Sequence, residues 1–241
     1  MDKRSIILEG QSVDYHVRVS TRARRPGLLF GDGGLEVVLP RHFAHYNPES
    51  VLSRFQGWVL RQIERRRDLH EERRGWPTHR LLVRGVAKDV RLIEEPLFDG
   101  FSFVTERPGN VTVNAPHGEK AAAILTEWLM AEAEKDLRAR LAVRCEQMNE
   151  TFTRLRIADQ RSLWGSCAPA RGTLSFNFRL VLAPPSALDY LVVHELAHFS
   201  FRRHGPRFWA RVERFRPDYV LQRAWLREHG WKLRLPTEYL R

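Results

Sequence analysis

Pro184-Pro-Ser-Ala-Leu-Asp-Tyr-Leu-Val-Val-His-Glu-Leu-Ala-His-Phe199 is the stretch on which the reading of this chain turns. Its apolar residues recur at three- and four-residue spacing, the period of a helix. Ser186, with Asp189 three residues on, has the form of a capping box and predicts a helix start at Ala187. At about 100° per residue, His194 and His198 stand about 40° apart on one face, one turn from each other. Val192, Leu196 and Phe199 fall on the opposite side. Such a helix buries its apolar face and offers two imidazoles, with Glu195 beside them, to a cleft. Neutral imidazoles are preferred zinc ligands, and a glutamate between them is placed to take a proton from an activated water.

Zinc at a catalytic site takes a third protein ligand and keeps one position open. In a continuous helix His204 would point about 120° away from His198 and lie roughly 9 Å further along the axis, out of range. Arg203-His204-Gly205-Pro206 supplies the necessary break, since glycine tolerates unusual backbone angles and proline can open a new helix, here Arg207 to Phe215. His204 is one candidate for the third ligand and Glu213 the other. The His198-to-His204 spacing is that of metzincins, but those carry a glycine where this chain has Phe201, and a downstream Met-turn, whereas every methionine here lies upstream. Tyr190, one turn before His194, is a candidate to stabilise an oxyanion, or else a buried ring with a satisfied hydroxyl. Cys167 is a candidate fourth, inhibitory ligand.

Outward on both sides, further segments join the helix. Arg161-Ser-Leu-Trp-Gly-Ser-Cys167, Asn177-Phe-Arg-Leu-Val-Leu-Ala-Pro-Pro185, His194-Glu-Leu-Ala-His198 and His204-Gly-Pro-Arg-Phe-Trp209 follow one another in order. Together they resemble the YgjP-like metallopeptidase family, relatives of the SprT-like proteases and the minigluzincins. The strand-rich region from about residue 15 onward is also similar to that family. The resemblance implies a zinc-dependent peptidase with His194, His198 and His204 as ligands and Glu195 as catalytic acid and base. Within the W-G-S-C segment, Gly165 suggests a bulge or a close backbone approach. That segment reads either as a packed turn supporting the metal helix or as an edge that binds an extended peptide by strand addition. Trp164 and Asn177 are the candidate substrate-binding residues.

Upstream, Ile6–Leu8, Val13–Val19, Gly27–Phe30 and Leu35–Leu39 read as strands of a β-meander around the turn Gly31-Asp32-Gly33-Gly34, followed by an amphipathic helix from Pro48 to Leu69. Strands at Leu81–Val83, Val90–Ile93, Phe101–Thr105 and Val111–Asn114 repeat the plan before a long helix, Glu119–Met148. Arg154–Ile157, Ser162–Cys167 and Leu174–Leu182 make a third round. Leu35-Glu-Val-Val-Leu-Pro40, Val111-Thr-Val-Asn-Ala-Pro116 and Arg179-Leu-Val-Leu-Ala-Pro184 end alike, which admits an internal repeat. The expected class is α+β: a strand-rich part over 1–118 with one helix, then a small zincin-like catalytic part over 119–241 with an antiparallel sheet and the H-E-x-x-H helix.

Composition bounds the rest. In 241 residues, 40 Lys+Arg against 29 Asp+Glu give a net charge of +11, and 43% of residues are hydrophobic, which excludes a disordered or collagen-like chain. No apolar run reaches the roughly 18–20 residues of a membrane span, and the first ten residues lack the apolar core of a secretory signal. Cys145 and Cys167 cannot build a disulfide framework. The expectation is a cytoplasmic enzyme with no membrane partner. Arg202, Arg203, Arg207, Arg211, Arg214 and Arg216 crowd behind the metal helix, and Arg207, Arg211 and Arg214 can share a face. They admit an acidic or nucleic-acid partner beside the expected peptide or protein substrate, and so a second reading: a nucleic-acid-associated module with structural zinc, or a DNA-linked protease.

Overall fold

The computed structural model describes residues 3–31, 34–94, 102–115, 121–160, 163–236 and 240. Asp32, Gly33, Phe101, Pro116, Glu119, Arg161 and Ser162, all part of the sequence expectations, lie outside the described residues. Contacts divide the chain into an N-terminal unit, Met1–Trp76, and a C-terminal unit, Pro77–Arg241.

The N-terminal unit carries β1 (Lys3–Leu8), β2 (Gln11–Ser20), β3 (Gly27–Gly31), β4 (Gly34–Pro40), α1 (Pro48–Arg54) and α2 (Gln56–Gly75). Its strand order is β1-β2-β4-β3, with β2 and β4 parallel and the other neighbours antiparallel. The expected meander is therefore corrected: β4 slots between β2 and β3. Burial gives the reason. Leu35, Val37, Val38 and Leu39 are all buried, and a strand apolar on both faces belongs in the middle of a sheet, not at its edge. The single expected helix is two, because Phe55 leaves helical geometry (φ −112°, ψ 22°) between α1 and α2. Asn47 caps α1 by accepting from the Glu49 N–H at 3.0 Å.

The C-terminal unit opens on β5 (Arg80–Val83), β6 (Val86–Glu94), β7 (Phe103–Arg107) and β8 (Asn110–Ala115), then the long α3 (Ala121–Met148). The order β5-β6-β8-β7, with β6 and β8 parallel, reproduces the N-terminal topology strand for strand. A third version follows without the first strand: β9 (Arg154–Ala158), β10 (Gly165–Ala168) and β11 (Thr173–Asn177), in the order β10-β11-β9, with β9 and β11 parallel. The repeated plan read from the sequence is thus present in the topology. Its third proline segment was misplaced, however. Phe178–Leu182 is a 3-10 turn, not strand, because Asn177 Oδ1 accepts from the Arg179 N–H at 3.1 Å and turns the chain. All three sheets are mixed, which corrects the antiparallel sheet expected of the catalytic part.

The boundary expected at 118/119 falls inside the C-terminal unit. Leu125, Leu129, Ala133, Leu137 and Leu141 form one fully buried stripe of α3, and α3 packs on β7 and β8 before it as well as on β9 and later elements after it. The β5–β6 turn is fastened to the same core. There the Arg84 and Gly85 N–H groups donate to the carbonyls of Val181 and Leu182 at 2.8 and 3.0 Å. Gly85 has φ +80°, and a Cβ there would sit 2.9 Å from the Pro184 ring, so only glycine fits this approach to the start of the next helix.

That helix is α4 (Pro185–Ser200), followed by α5 (Pro206–Phe215) and α6 (Tyr219–His229). Its cap is Pro184, with no side-chain cap bond, so the expected capping box does not form. Asp189 is committed elsewhere: Arg144 donates to both its carboxylate oxygens, at 3.0 and 2.6 Å, and Arg216 lies 3.2 Å away.

Candidate metal centre

α4 carries His194, Glu195 and His198 with Leu191, Val192, Val193 and Leu196 buried behind them. Phe201 ends the helix in extended conformation, and Gly205 caps α5 with Pro206 at its first position. The chain between these helix ends carries His204 back over the α4 face. Metal-ligating atoms of His194, His198 and His204 all lie within 4.8 Å of one another, and the Nε2 atoms of His194 and His204 are 3.0 Å apart. Phe208, fully buried on α5, touches all three rings at centroid distances of 4.9, 4.6 and 4.7 Å. His204 itself is exposed but stacks on Trp209, which stacks in turn on Tyr219. Aromatic packing thus holds a ligand-type side chain that a bare turn would leave loose.

The tautomers suit a metal. His198 Nδ1 lies 3.0 Å from the Phe201 carbonyl. A carbonyl only accepts, so Nδ1 carries a proton, the tautomer in which an unprotonated Nε2 can face a cation. His194 Nδ1 sits 3.4 Å from the Tyr190 hydroxyl, leaving its Nε2 toward His204. Burial, reinforced by the neighbouring His198 and His204 and by Arg223, holds His194 down to about 3, and His204 is lowered by the same kinds of cause. Imidazoles converging in this way are a donor set that fits zinc.

Glu195 is only 4% exposed, and burial raises its carboxyl to about 8. It is outside the ligand cluster yet lines the same cleft of about 650 Å³ as the three histidines, together with Gly165, Cys167, Arg171 and Arg202. Gly165 makes room for it. A Cβ on Gly165 would stand 2.8 Å from Glu195 Oε1 and 3.0 Å from Cγ. The close approach suggested by this glycine in the sequence is thus to the acid itself. Gly165→Ala is expected to lower the melting temperature, since the buried Glu195 side chain must shift back as far as its Cγ. It should lower any Glu195-dependent turnover by about 100-fold, the scale of a misplacement near 1 Å. Turnover and melting temperature measured on one preparation check both halves.

Other expectations resolve differently. Among the described residues Glu213 is exposed on α5 and is not among the clustered ligands. Cys167 lines the cleft, where burial and Glu195 push its thiol up to about 12, and among the described residues its sulfur is not in the histidine cluster. Tyr190 is buried, its hydroxyl facing His194 Nδ1 at 3.4 Å. Trp164 and Asn177 stand apart from the histidines, in a separate hollow of about 410 Å³ with Arg179, Trp231 and Arg234. Asn177 is buried, and its amide donates to the carbonyls of Gln160 and Leu163 at 2.6 and 3.3 Å. Its amide oxygen accepts from the Arg179 N–H, so both its polar atoms are held within the chain. Arg223, whose guanidinium lies 4.9 Å from the Trp209 ring centre, was not singled out in the sequence, because nothing local ties α6 to the metal helix.

The arginine cluster also divides. Arg211 donates to Glu150 and to the Met148 carbonyl, each at 2.7 Å, while Arg216 bridges Asp189 and Asp218. These two clamp α5 to its neighbours, and the nucleic-acid stripe expected of the cluster loses them. Arg211→Glu should therefore destabilise the chain by roughly 2–3 kcal/mol, less than a fully buried pair would. Urea unfolding measures it, with Arg207→Glu expected to be near neutral.

A family model described as "YgjP-like, metallopeptidase domain" matches residues 25–229. No curated protein matches the sequence. Among solved structures, the metallopeptidase zymogen of Pyrococcus abyssi abylysin is similar with a TM-score of 0.33 and 18% identity, over 38% of this chain and 93% of that one.

Proposed function

Because the chain belongs to the YgjP-like metallopeptidase family, we propose that it is a zinc-dependent peptidase that hydrolyses extended peptide or protein segments at the His194–His198–His204 centre, with Glu195 as general base. The observation that carries this reading is the convergence of three imidazoles beside a buried carboxylate that stands outside their cluster, in one open cleft. His194, His198 and His204 would hold the ion. Zinc bound there supplies a Lewis acid that acidifies a water and polarises a carbonyl.

The rest is the work of the chain. Glu195, buried beside the three histidines, accepts in its ionised form a proton from the attacking water. It then delivers that proton to the leaving amine nitrogen. Gly165 leaves the space in which the carboxylate makes this exchange. β10 is the outermost strand of its sheet and borders the cleft, so its free edge can pair with a substrate backbone and hold it extended. Phe208 keeps water from the back of the imidazoles. The two free cysteines suit a reducing compartment, the cytoplasm, and no described helix is long and apolar enough to cross a membrane.

The test is direct. The zinc-loaded chain, incubated with an unstructured protein and read by mass spectrometry, should produce defined fragments that a chelator suppresses and zinc restores. Fragments produced equally in the presence of chelator would defeat the reading.

A further inference from the structure

The sheet that walls the cleft has two faces of opposite character. Gly165 and Cys167 of β10 look toward α4 and Glu195. Ser166 and Ala168, alternating with them, look the other way. On that far face the register aligns two rows across the sheet: Arg154–Thr173–Ala168 and Arg156–Ser175–Ser166. Every strand residue between each arginine and the free edge of β10 is small, and Gln160, whose amide donates to Ser175 Oγ at 3.4 Å, borders the same face. Arg171, in the turn just after β10, closes one end. These side chains border a hollow of about 270 Å³ that no carboxylate lines. Arg154, Arg156 and Arg171 are exposed, and none forms an ion pair with a described residue, unlike Arg144, Arg179, Arg211 and Arg216 of the same unit.

Three unneutralised guanidinium groups around one small pit repel one another, and an arriving anion relieves that repulsion. The hollow and the metal cleft share β10 as their common wall, since Ser166, Cys167, Ala168 and Arg171 border both. A peptide paired to the free edge of β10 would point alternate side chains to the two faces. One set would look toward the metal helix, the other across Ser166 and Ala168 toward the arginines. Three strand spacings, about 14 Å, separate such a peptide from β9. An arginine and a glutamate reaching toward each other over small side chains span it; an aspartate reaches less far.

We propose that this hollow is a specificity site for acidic peptide segments, taking glutamate side chains at alternate positions of the strand paired to β10. It rests on the reading of the cleft as a peptide-binding one. A narrow pit beside a strand edge fits a carboxylate side chain better than a phosphodiester backbone, which wants a continuous basic track.

The experiment uses the zinc-loaded full chain carrying Glu195→Gln, and fluorescent decapeptides with glutamate at alternate positions or glutamine in the same places. A single-stranded oligonucleotide of equal charge is the third probe. Anisotropy at physiological salt should show the glutamate peptide binding about tenfold tighter than its glutamine twin, the scale of two or three exposed ion pairs. R154Q/R156Q/R171Q should reduce the difference to within about twofold, and R154K/R156K/R171K should restore most of it, with circular dichroism unchanged because all three positions are exposed. Equal binding of the two peptides, or a preference unmoved by the glutamine variant, overturns the proposal. So does an oligonucleotide that outcompetes the acidic peptide. Cleavage by the wild-type chain separates the two readings. Equal cutting of both peptides leaves a peptidase without acidic preference, whereas arginine-dependent acidic binding with no cutting leaves the binding site and removes the peptidase.

Discussion

Glu195→Gln will bind zinc as the wild-type chain does and lose peptide hydrolysis by at least about 100-fold, the lower end of what a general base contributes. Zinc retention follows from geometry: the clustered ligand atoms belong to His194, His198 and His204, and glutamine is nearly isosteric with glutamate in the space that Gly165 leaves. Loss of hydrolysis follows because an amide oxygen is a poor proton acceptor. A linked observation separates chemistry from folding. In the metal-free chain the folded-state pKa of Glu195 stands near 8, above its ordinary value of 4.5. The folded state therefore binds the proton more tightly than the unfolded one. Stability from this group is fully present below pH 4.5 and is lost as pH rises through 8. The glutamine variant has no such dependence, so its melting temperature should match the wild type at pH 4 and exceed it at pH 9. An unstructured substrate cut equally by both proteins sinks the general-base role, and melting temperatures in the reverse order sink the burial argument.

How much of this was legible in the sequence depends on the range of the interaction. The α4 pattern is local: His194 and His198 one turn apart, a buried apolar face, a glycine and proline to release the chain at His204. Helical period alone was enough to put two imidazoles and Glu195 together. Bringing His204 to them needs a turn whose direction no spacing encodes, and what fixes His204 in the fold is its packing against Phe208 and Trp209. The meander failed for a similar reason. Strand positions were right to within a few residues, but adjacency was assumed to follow sequence order. The run Leu35-Glu-Val-Val-Leu39 held the contrary sign, being too apolar for an end of a sheet.

Long-range partners were the least legible. Ser186 and Asp189 have the spacing of a capping box, yet Arg144, from another helix, and Arg216 claim the aspartate. Arg211 and Arg207 sit one turn apart on α5, but only Arg211 meets Glu150. Asn177 looked like a site residue because it belongs to a motif. Its amide serves the loop that precedes β10, and so acts on the cleft only by placing the wall. The basic hollow depends on pairing as well. Arg154 and Arg156 share a face of one strand by alternation, but only the pairing of β9 with β11 and of β11 with β10 brings Arg171 beside them.

Removal of a ligand imidazole should cost more than any change around it. His194→Ala and His198→Ala are each expected to weaken zinc binding by well over 100-fold, beyond the roughly 10–100-fold lost with an outer-shell partner. Both side chains stand on one helix, with His198 Nδ1 held at the Phe201 carbonyl and His194 Nε2 3.0 Å from His204 Nε2, so little binding free energy should go into ordering them, and all of their contribution should be lost on truncation. His194 is moreover held neutral by burial, so at pH 7 no proton has to leave it before zinc enters. His204→Ala should also weaken binding strongly, though less, because the exposed imidazole must be held in place by Trp209 and Phe208. Glu213→Ala should change nothing. Competition with a calibrated chelator ranks the four variants, and a second readout comes from stability. Zinc at a thousandfold excess over its dissociation constant raises the unfolding free energy of the wild type by about 4 kcal/mol, an increment that His194→Ala and His198→Ala should lose. A Glu213→Ala variant that lost zinc while His204→Ala kept it would transfer the third coordination position to α5, and with it the reason for the stack of His204 on Trp209.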